Sequence, residues 1–203
     1  YHPAEALLFR NGIDRPAPPP FRHELRLNGL APGTSYRYRV VQGDAEAEGL
    51  FVTPPQPGSR RPLRFVVFGD SETEPESVGK HAHWPEPGVT DSDRRYPVDQ
   101  ETGYRENLRL VRDRKPEFVA IAGDLVESGG EQRDWDAYWR LTATLAADSF
   151  LLPALGNHDY YGGPVGFGNY APPATARALS KYLAYFDLPE NGTACRICAL
   201  PLP

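Results

Sequence analysis

The chain has 203 residues, of which 40% are hydrophobic and 24% are charged, with a formal net charge of −5. These proportions are those of an ordinary globular protein, and the length allows one full domain and part of another. The acidic balance and the absence of a basic block argue against nucleic acid as a partner. Because no apolar run is long enough to cross a bilayer, we expect no membrane span.

Both ends of the sequence are unusual. The chain contains no Met and opens on a Tyr-His-Pro tripeptide, so we expect a fragment or a processed chain. The tail at 191–203 loses all periodicity after about Thr193, which suggests truncation or a shifted reading frame. This tail holds the only two cysteines, Cys195 and Cys198. A structural zinc site needs four ligands, so we interpret these cysteines as incidental.

The first 57 residues predict β structure, with strands at 21–27, 36–40 and 50–53. The motif Leu-Ala-Pro-Gly-Thr-Ser-Tyr at 30–36 resembles the tyrosine corner of fibronectin type III sandwiches, in which a Tyr hydroxyl bonds back to the backbone. The resemblance implies the last strands of such a β-sandwich, and an unrelated hairpin is the alternative. Prolines then stiffen the chain, which predicts a linker at 58–62.

Beyond the linker, apolar runs alternate with helical patterns over 63–190. We predict strands at 63–69, 117–122 and 150–155, and helices at 104–115, 131–147 and 174–186. The order β-α-β-α-β-α predicts a parallel sheet with right-handed crossovers, and therefore an α/β fold class. Aromatic residues with helical spacing in the second helix, Trp135, Tyr138 and Trp139, predict core packing.

The polar stretch at 71–103 is long for a connection inside a compact domain, and such loops are usually functional or disordered. It contains His81 and His83, which we interpret as solvated or as substrate contacts rather than as a metal-binding pair. Together with the Gly-rich loop at 160–173, this stretch is expected to border the site and to set substrate specificity.

Each of the three predicted strands ends in a polar motif: Gly-Asp at 69–70, Gly-Asp at 123–124 and Gly-Asn-His-Asp at 156–159. Because the carboxyl ends of parallel strands share one edge of a sheet, the oxygen donors Asp70, Asp124 and Asn157 should meet there, beside His158. Neighbouring carboxylates repel unless a cation lies between them. Two metal ions bridged by one carboxylate can generate a hydroxide and clamp a phosphoryl group, and a nearby His can protonate a leaving alkoxide.

These motifs resemble the calcineurin-like metallophosphoesterase superfamily over residues 63 to about 188. The fibronectin-like segment points to its purple acid phosphatase branch. The resemblance implies that Asp70 binds a first metal ion, that Asp124 bridges two ions, and that Asn157 binds the second. It implies that His158 contacts the phosphate and acts as an acid or stabilises charge, with Asp159 orienting it. The implied fold is the first half of a two-layer α/β sandwich.

The sequence also departs from the family pattern. Glu72 stands where many members complete an Asp-x-His motif, and Glu127 stands where purple acid phosphatases have a Tyr ligand. A tyrosinate–iron pair is therefore not supported, and the two divalent or trivalent ions stay open among Fe, Mn and Zn. Either glutamate could replace a ligand or be solvated. No His follows His158, although the family uses further histidine ligands.

Two functions follow from this pattern. The parent protein is expected to be an acid phosphatase-like hydrolase that cleaves phosphate esters of small molecules. The alternative is a non-catalytic or degenerate binding module, and we expect the chain alone to be inactive because it carries about half of a dimetal site. Since fibronectin-like domains are commonest outside the cytoplasm, we expect an extracellular or periplasmic protein.

Overall fold

The computed structural model describes residues 23–73, 78, 99–162 and 170–187. Its elements are β1 (Ser35–Gln42), β2 (Ala45–Val52), β3 (Phe65–Phe68), α1 (Gln100–Asp113), β4 (Phe118–Ile121), α2 (Gln132–Ala146), β5 (Phe150–Pro153), a 3-10 turn (His158–Tyr160) and α3 (Pro172–Tyr185). The predictions for His81, His83, the two cysteines and the tail lie outside these ranges. Within them, no helix has both the length and the apolar character needed to span a bilayer.

The central feature is a parallel sheet in the order β3–β4–β5, which confirms the predicted α/β fold class. Phe118 of β4 pairs in register with Phe65 of β3 on one side and with Phe150 of β5 on the other. With all three strands running in one direction, their carboxyl ends lie at the same edge of the sheet.

The elements begin and end at slightly different residues from those predicted. Helix α1 begins at Gln100, four residues earlier than expected, because Asp99 caps it: its Oδ1 accepts a hydrogen bond from Thr102 N at 2.9 Å. Helix α3 begins at Pro172, in a first turn where proline costs no hydrogen bond. A side-chain cap therefore extends α1, and prolines that fit a first helical turn extend α3, beyond the residues that show apolar periodicity.

Strands β1 and β2 form an antiparallel hairpin closed by Gly43 and Asp44, with Gly43 in the left-handed region at φ 58°. The Tyr36 hydroxyl accepts a hydrogen bond from Ala31 N at 2.8 Å, which is the kind of contact that a tyrosine corner makes. The strand expected at 21–27 is wrong for its described part, since residues 23–27 pair with no strand. Their partial alternation has no buried face, and Leu25 is 81% exposed.

The hairpin packs against the junction between α2 and β5. Tyr38 Oη donates a hydrogen bond to Ala147 O at 3.0 Å, and the Phe51 ring meets Phe150 edge-on with centroids 5.6 Å apart. Gly49 is buried at this junction, where an added Cβ would collide with Ala147 O. The absence of a side chain at position 49 thus allows the hairpin to approach the α/β unit.

The helices cover one face of the sheet. Val119 and Ile121 of β4 point into a cluster that includes Leu108 of α1, Trp135 of α2 and Tyr182 of α3. Trp135 and Tyr138 are buried, as predicted, and Trp139 packs partly buried against the cluster. Because side chains alternate along a strand, the opposite face is formed by residues that remain exposed, namely Phe65, Val67, Phe150 and Leu152.

A buried lysine joins α3 to the start of α2. Lys181 is fully buried, and its Nζ donates a hydrogen bond to Gln132 Oε1 at 2.7 Å. Burial, with a contribution from the charge of Arg177, lowers the pKa of Lys181 to about 7, although the carboxylates of Glu131, Asp136 and Asp134 oppose this shift. In the unfolded chain the same lysine keeps its proton to much higher pH.

This difference predicts a pH dependence of stability. Between pH 7 and pH 9 the unfolded lysine binds more protons than the folded one, so the free energy of unfolding should rise with pH, by at most about 1.4 kcal/mol per pH unit. Urea unfolding at pH 7 and pH 9 measures the rise. Lys181→Met should remove it, whereas Lys115→Met, at an exposed lysine, should keep it. An unchanged rise in Lys181→Met would assign the effect to other groups.

Candidate metal centre

The loops after β3 and β4 lie side by side. Asp70 and Asp124 each follow a strand with a positive φ, 49° and 52°. Non-glycine residues rarely adopt this conformation, and such positions cluster at functional sites. Asp70 N donates a hydrogen bond to Gly123 O at 3.2 Å, and Ser71 N donates one to Asp124 O at 2.9 Å. These backbone bonds fix the first two strand-end motifs relative to each other.

The third motif is held by the Asp124 carboxylate. Asp124 is only 8% exposed, and its Oδ1 accepts a hydrogen bond from His158 N at 2.8 Å. Gly156 passes so close that an added Cβ would collide with this oxygen. The glycine of the Gly-Asn-His-Asp motif is therefore needed for the loop after β5 to reach Asp124.

Asp159 connects the same two loops from inside the protein. Its side chain is fully buried. Its Oδ1 accepts hydrogen bonds from Leu125 N at 3.0 Å and Val126 N at 3.3 Å, and its Oδ2 accepts one from Gly156 N at 2.8 Å. Burial raises the pKa of Asp159 to about 6, although the three amides lower it. These bonds involve backbone rather than the His158 ring, so any orienting effect on His158 acts through the loop.

The His158 ring is oriented by Glu127. Nδ1 lies 2.9 Å from Glu127 O, and because a carbonyl can only accept, Nδ1 carries a hydrogen and donates it. The other ring nitrogen, Nε2, is then the one available for a metal ion or a substrate. Burial lowers the pKa of His158. The bond to the Glu127 carbonyl and the negative charges of Glu127, Asp124 and Glu72 outweigh this effect, so the pKa of His158 lies above its usual value.

Three side chains come together at this edge of the sheet. Glu72, Asp124 and His158 each offer one ligand atom, and these atoms lie within 4.8 Å of one another. Glu72 Oε2 is a buried oxygen without a hydrogen-bond partner among the described residues. Burial is the main cause that raises the pKa of Glu72, and the charge of Asp124 adds to it. Two carboxylates and an imidazole with one unsatisfied buried oxygen fit a divalent cation.

The other predicted site residues lie beside this cluster. Asp70 is exposed at the end of β3. Asn157 is also exposed, and its Nδ2 donates to Tyr170 Oη at 3.4 Å, which leaves Oδ1 as its ligand atom. Glu72 lies in the cluster, although the sequence did not decide whether it is a ligand or solvated. The one feature of the sequence that pointed to Glu72 was its position two residues after Asp70. The bond from His158 to Glu127 had no sequence signal, because it uses a backbone carbonyl.

Residues 63–195 match the family model for calcineurin-like phosphoesterases, and the chain belongs to that family. It is 28% identical over 181 residues to an uncharacterized protein of Mycobacterium tuberculosis, covering 86% of this chain and 30% of that protein. It is 27% identical over 156 residues to purple acid phosphatase 1 of Ipomoea batatas, covering 75% of this chain and 28% of that enzyme.

The fold is also similar to that of a solved structure, a purple acid phosphatase from yellow lupin (Lupinus luteus) seeds. The TM-score is 0.50 at 20% sequence identity, over 80% of this chain and 27% of the lupin chain. This similarity supports the α/β fold. The chain spans less than a third of the length of each of these relatives.

Proposed function

We propose that this chain is part of a metal-dependent phosphoesterase that hydrolyses phosphate esters of small molecules. The observation that carries the proposal is the cluster of Glu72, Asp124 and His158 at the carboxyl edge of the parallel sheet, with ligand atoms within 4.8 Å of one another. Membership of the calcineurin-like phosphoesterase family supports it. A purple acid phosphatase is among the chain's relatives, which favours an acid phosphatase-like hydrolase.

We further propose two metal ions, divalent or trivalent, with Asp124 between them. Asp124 follows the central strand and bonds to both neighbouring loops, accepting from Ser71 N with its backbone oxygen and from His158 N with its carboxylate. This position suits a bridging ligand, with Asp70 on one side and Asn157 on the other. When bound, such ions lower the pKa of a water molecule and neutralise charge on a phosphoryl group.

His158 has the properties of a proton donor to the leaving group. Its Nδ1 is held by Glu127 O at 2.9 Å, so the ring is fixed and Nε2 is free to act. The raised pKa of His158 favours the imidazolium form, which can protonate a leaving alkoxide or stabilise phosphate charge. Asp159 supports this arrangement by joining the loops that carry Asp124 and His158.

The domain organisation that we propose for this chain has four parts. A fibronectin-like β unit spans 1–57, a linker spans 58–62, the phosphoesterase unit spans 63–190, and an atypical tail spans 191–203. The bond between Ala31 N and the Tyr36 hydroxyl supports the first assignment. Such a unit supports export, so we propose an extracellular or periplasmic location, which fractionation of the source cells would test.

The test is hydrolysis of p-nitrophenyl phosphate by the whole phosphoesterase of which this chain is proposed to be part, after removal of metals with a chelator and with metal binding followed by calorimetry. Each of Mn²⁺, Zn²⁺ and Fe²⁺ is then added back. Phosphate release that depends on metal supports the enzymatic proposal. Metal binding without turnover supports the alternative, a non-catalytic module. Absence of metal binding contradicts both.

A further inference from the structure

We propose that Glu72 is a direct metal ligand and that it makes this centre selective for oxygen-preferring ions such as Mn²⁺. This inference rests on the proposed function and adds a ligand and a metal preference to the same site. Glu72 lies two residues after Asp70 in the loop that follows β3. It joins Asp124 and His158 in the group whose ligand atoms lie within 4.8 Å of one another.

The position of Glu72 is set by the residues on both sides of it. Ser71 is buried, and both its N and its Oγ donate to Asp124 O, at 2.9 Å and 3.3 Å. Thr73 on the other side is buried as well. These hydrogen bonds fix the loop to the end of β4 at Ser71, the residue before Glu72. The anchored backbone places the Glu72 side chain close to the Asp124 carboxylate.

The surroundings of Glu72 are unfavourable for an ion-free carboxylate. Its Oε2 is buried without a hydrogen-bond partner among the described residues, and a buried, unsatisfied polar atom is costly. The Asp124 carboxylate nearby repels a second negative charge. A divalent cation coordinated by both carboxylates would satisfy the buried oxygen and remove the repulsion.

The donor types indicate which ions the centre prefers. Carboxylate oxygens from Glu72 and Asp124 suit hard cations such as Mn²⁺ and Mg²⁺, whereas imidazole ligands suit Zn²⁺. The one imidazole of the group belongs to His158, whose Nε2 the proposed function assigns to the substrate, so the carboxylates are the ligands that set the preference. Exchanging the Glu72 carboxylate for a second imidazole should therefore shift the relative affinity toward Zn²⁺.

The experiment is a titration of the metal-free full chain with Mn²⁺ and with Zn²⁺. Calorimetry measures the binding of both ions, and electron paramagnetic resonance also measures the binding of Mn²⁺.

Glu72→Gln keeps the shape of the side chain but removes its charge. It should weaken Mn²⁺ binding at least about tenfold, since the loss of even a residue that only supports a ligand costs 10–100-fold. Glu72→His should lower the ratio of Mn²⁺ affinity to Zn²⁺ affinity at least about tenfold. Glu106→Gln, at an exposed glutamate of α1, serves as the matched control and should bind both metals as the unaltered chain does.

The outcomes separate this inference from the proposed function. If the unaltered chain binds neither ion, the proposed function fails. If the unaltered chain and Glu72→Gln bind Mn²⁺ equally well, the centre exists but Glu72 is not a ligand, and the inference is overturned. An unchanged affinity ratio in Glu72→His overturns the metal preference. Far-ultraviolet circular dichroism of each variant excludes unfolding as the cause of lost binding.

Discussion

In the whole phosphoesterase of which this chain is proposed to be part, Asp124→Asn is expected to abolish metal-dependent phosphoester hydrolysis, lowering the rate by a factor of at least about 10³. The change removes the charge of the carboxylate that lies between the other two strand-end loops. Loss of a metal ion removes several kcal/mol of charge stabilisation in the transition state, and about 4 kcal/mol corresponds to that factor. Turnover of p-nitrophenyl phosphate and calorimetric titration with Mn²⁺ would both measure the effect.

The variant separates chemistry from folding. An asparagine at this position would keep an oxygen for the hydrogen bond from His158 N, which Asp124 Oδ1 accepts at 2.8 Å, so the loops should stay in place. Asp113→Asn, at an aspartate of α1 that is 62% exposed, is the matched control and should leave metal binding and turnover unchanged. Metal affinity and turnover in Asp124→Asn equal to those of the unaltered chain would show that Asp124 is not a ligand.

Asp159→Ala is expected to cause the largest loss of stability, about 3 kcal/mol or more. The carboxylate is fully buried and accepts hydrogen bonds from three backbone amides, those of Leu125, Val126 and Gly156. Each buried amide left without an acceptor costs about 1–3 kcal/mol. A loss of this size is a large part of the stability of a typical domain, and a shift in the urea unfolding midpoint would measure it.

A second substitution at the same position distinguishes lost bonds from a lost side chain. Asp159→Asn retains an oxygen that can accept hydrogen bonds from Leu125 N and Val126 N, but its side-chain NH2 group cannot accept one from Gly156 N. Its loss of stability should therefore be smaller than that of the alanine variant. Equal stability of Asp159→Ala and the unaltered chain would mean that these three bonds do not hold the loops after β4 and β5 together.

The α/β fold could be predicted because each strand has a strong local signal. The apolar runs around Phe65, Phe118 and Phe150 end in turn residues, and helical patterns between them require parallel strands. The start of α1 could not be predicted from periodicity, since it depends on a single cap by Asp99. The strand expected at 21–27 failed for its described part because alternation alone does not supply a partner strand.

The location of the candidate site could be predicted from the sequence, but several of its contacts could not. The strand-end motifs indicated that Asp124 and His158 would meet, since parallel strands share an edge. The backbone bonds of Asp159, to residues 33 and 34 positions earlier, and the bond of His158 to Glu127 O, 31 positions earlier, could not be predicted. These contacts join distant loops through main-chain atoms, which carry no residue-specific pattern. Glu72 remained ambiguous because its position two residues after Asp70 does not determine where its side chain lies.

The most direct test of the proposed metal centre is anomalous X-ray diffraction from crystals of the chain soaked in Mn²⁺. A centre built on the three strand ends predicts an anomalous peak in direct contact with the carboxylate oxygens of Asp124 and Glu72, beside His158. Peaks confined to other surface carboxylates, with none at Asp124, would contradict a metal centre at this edge of the sheet.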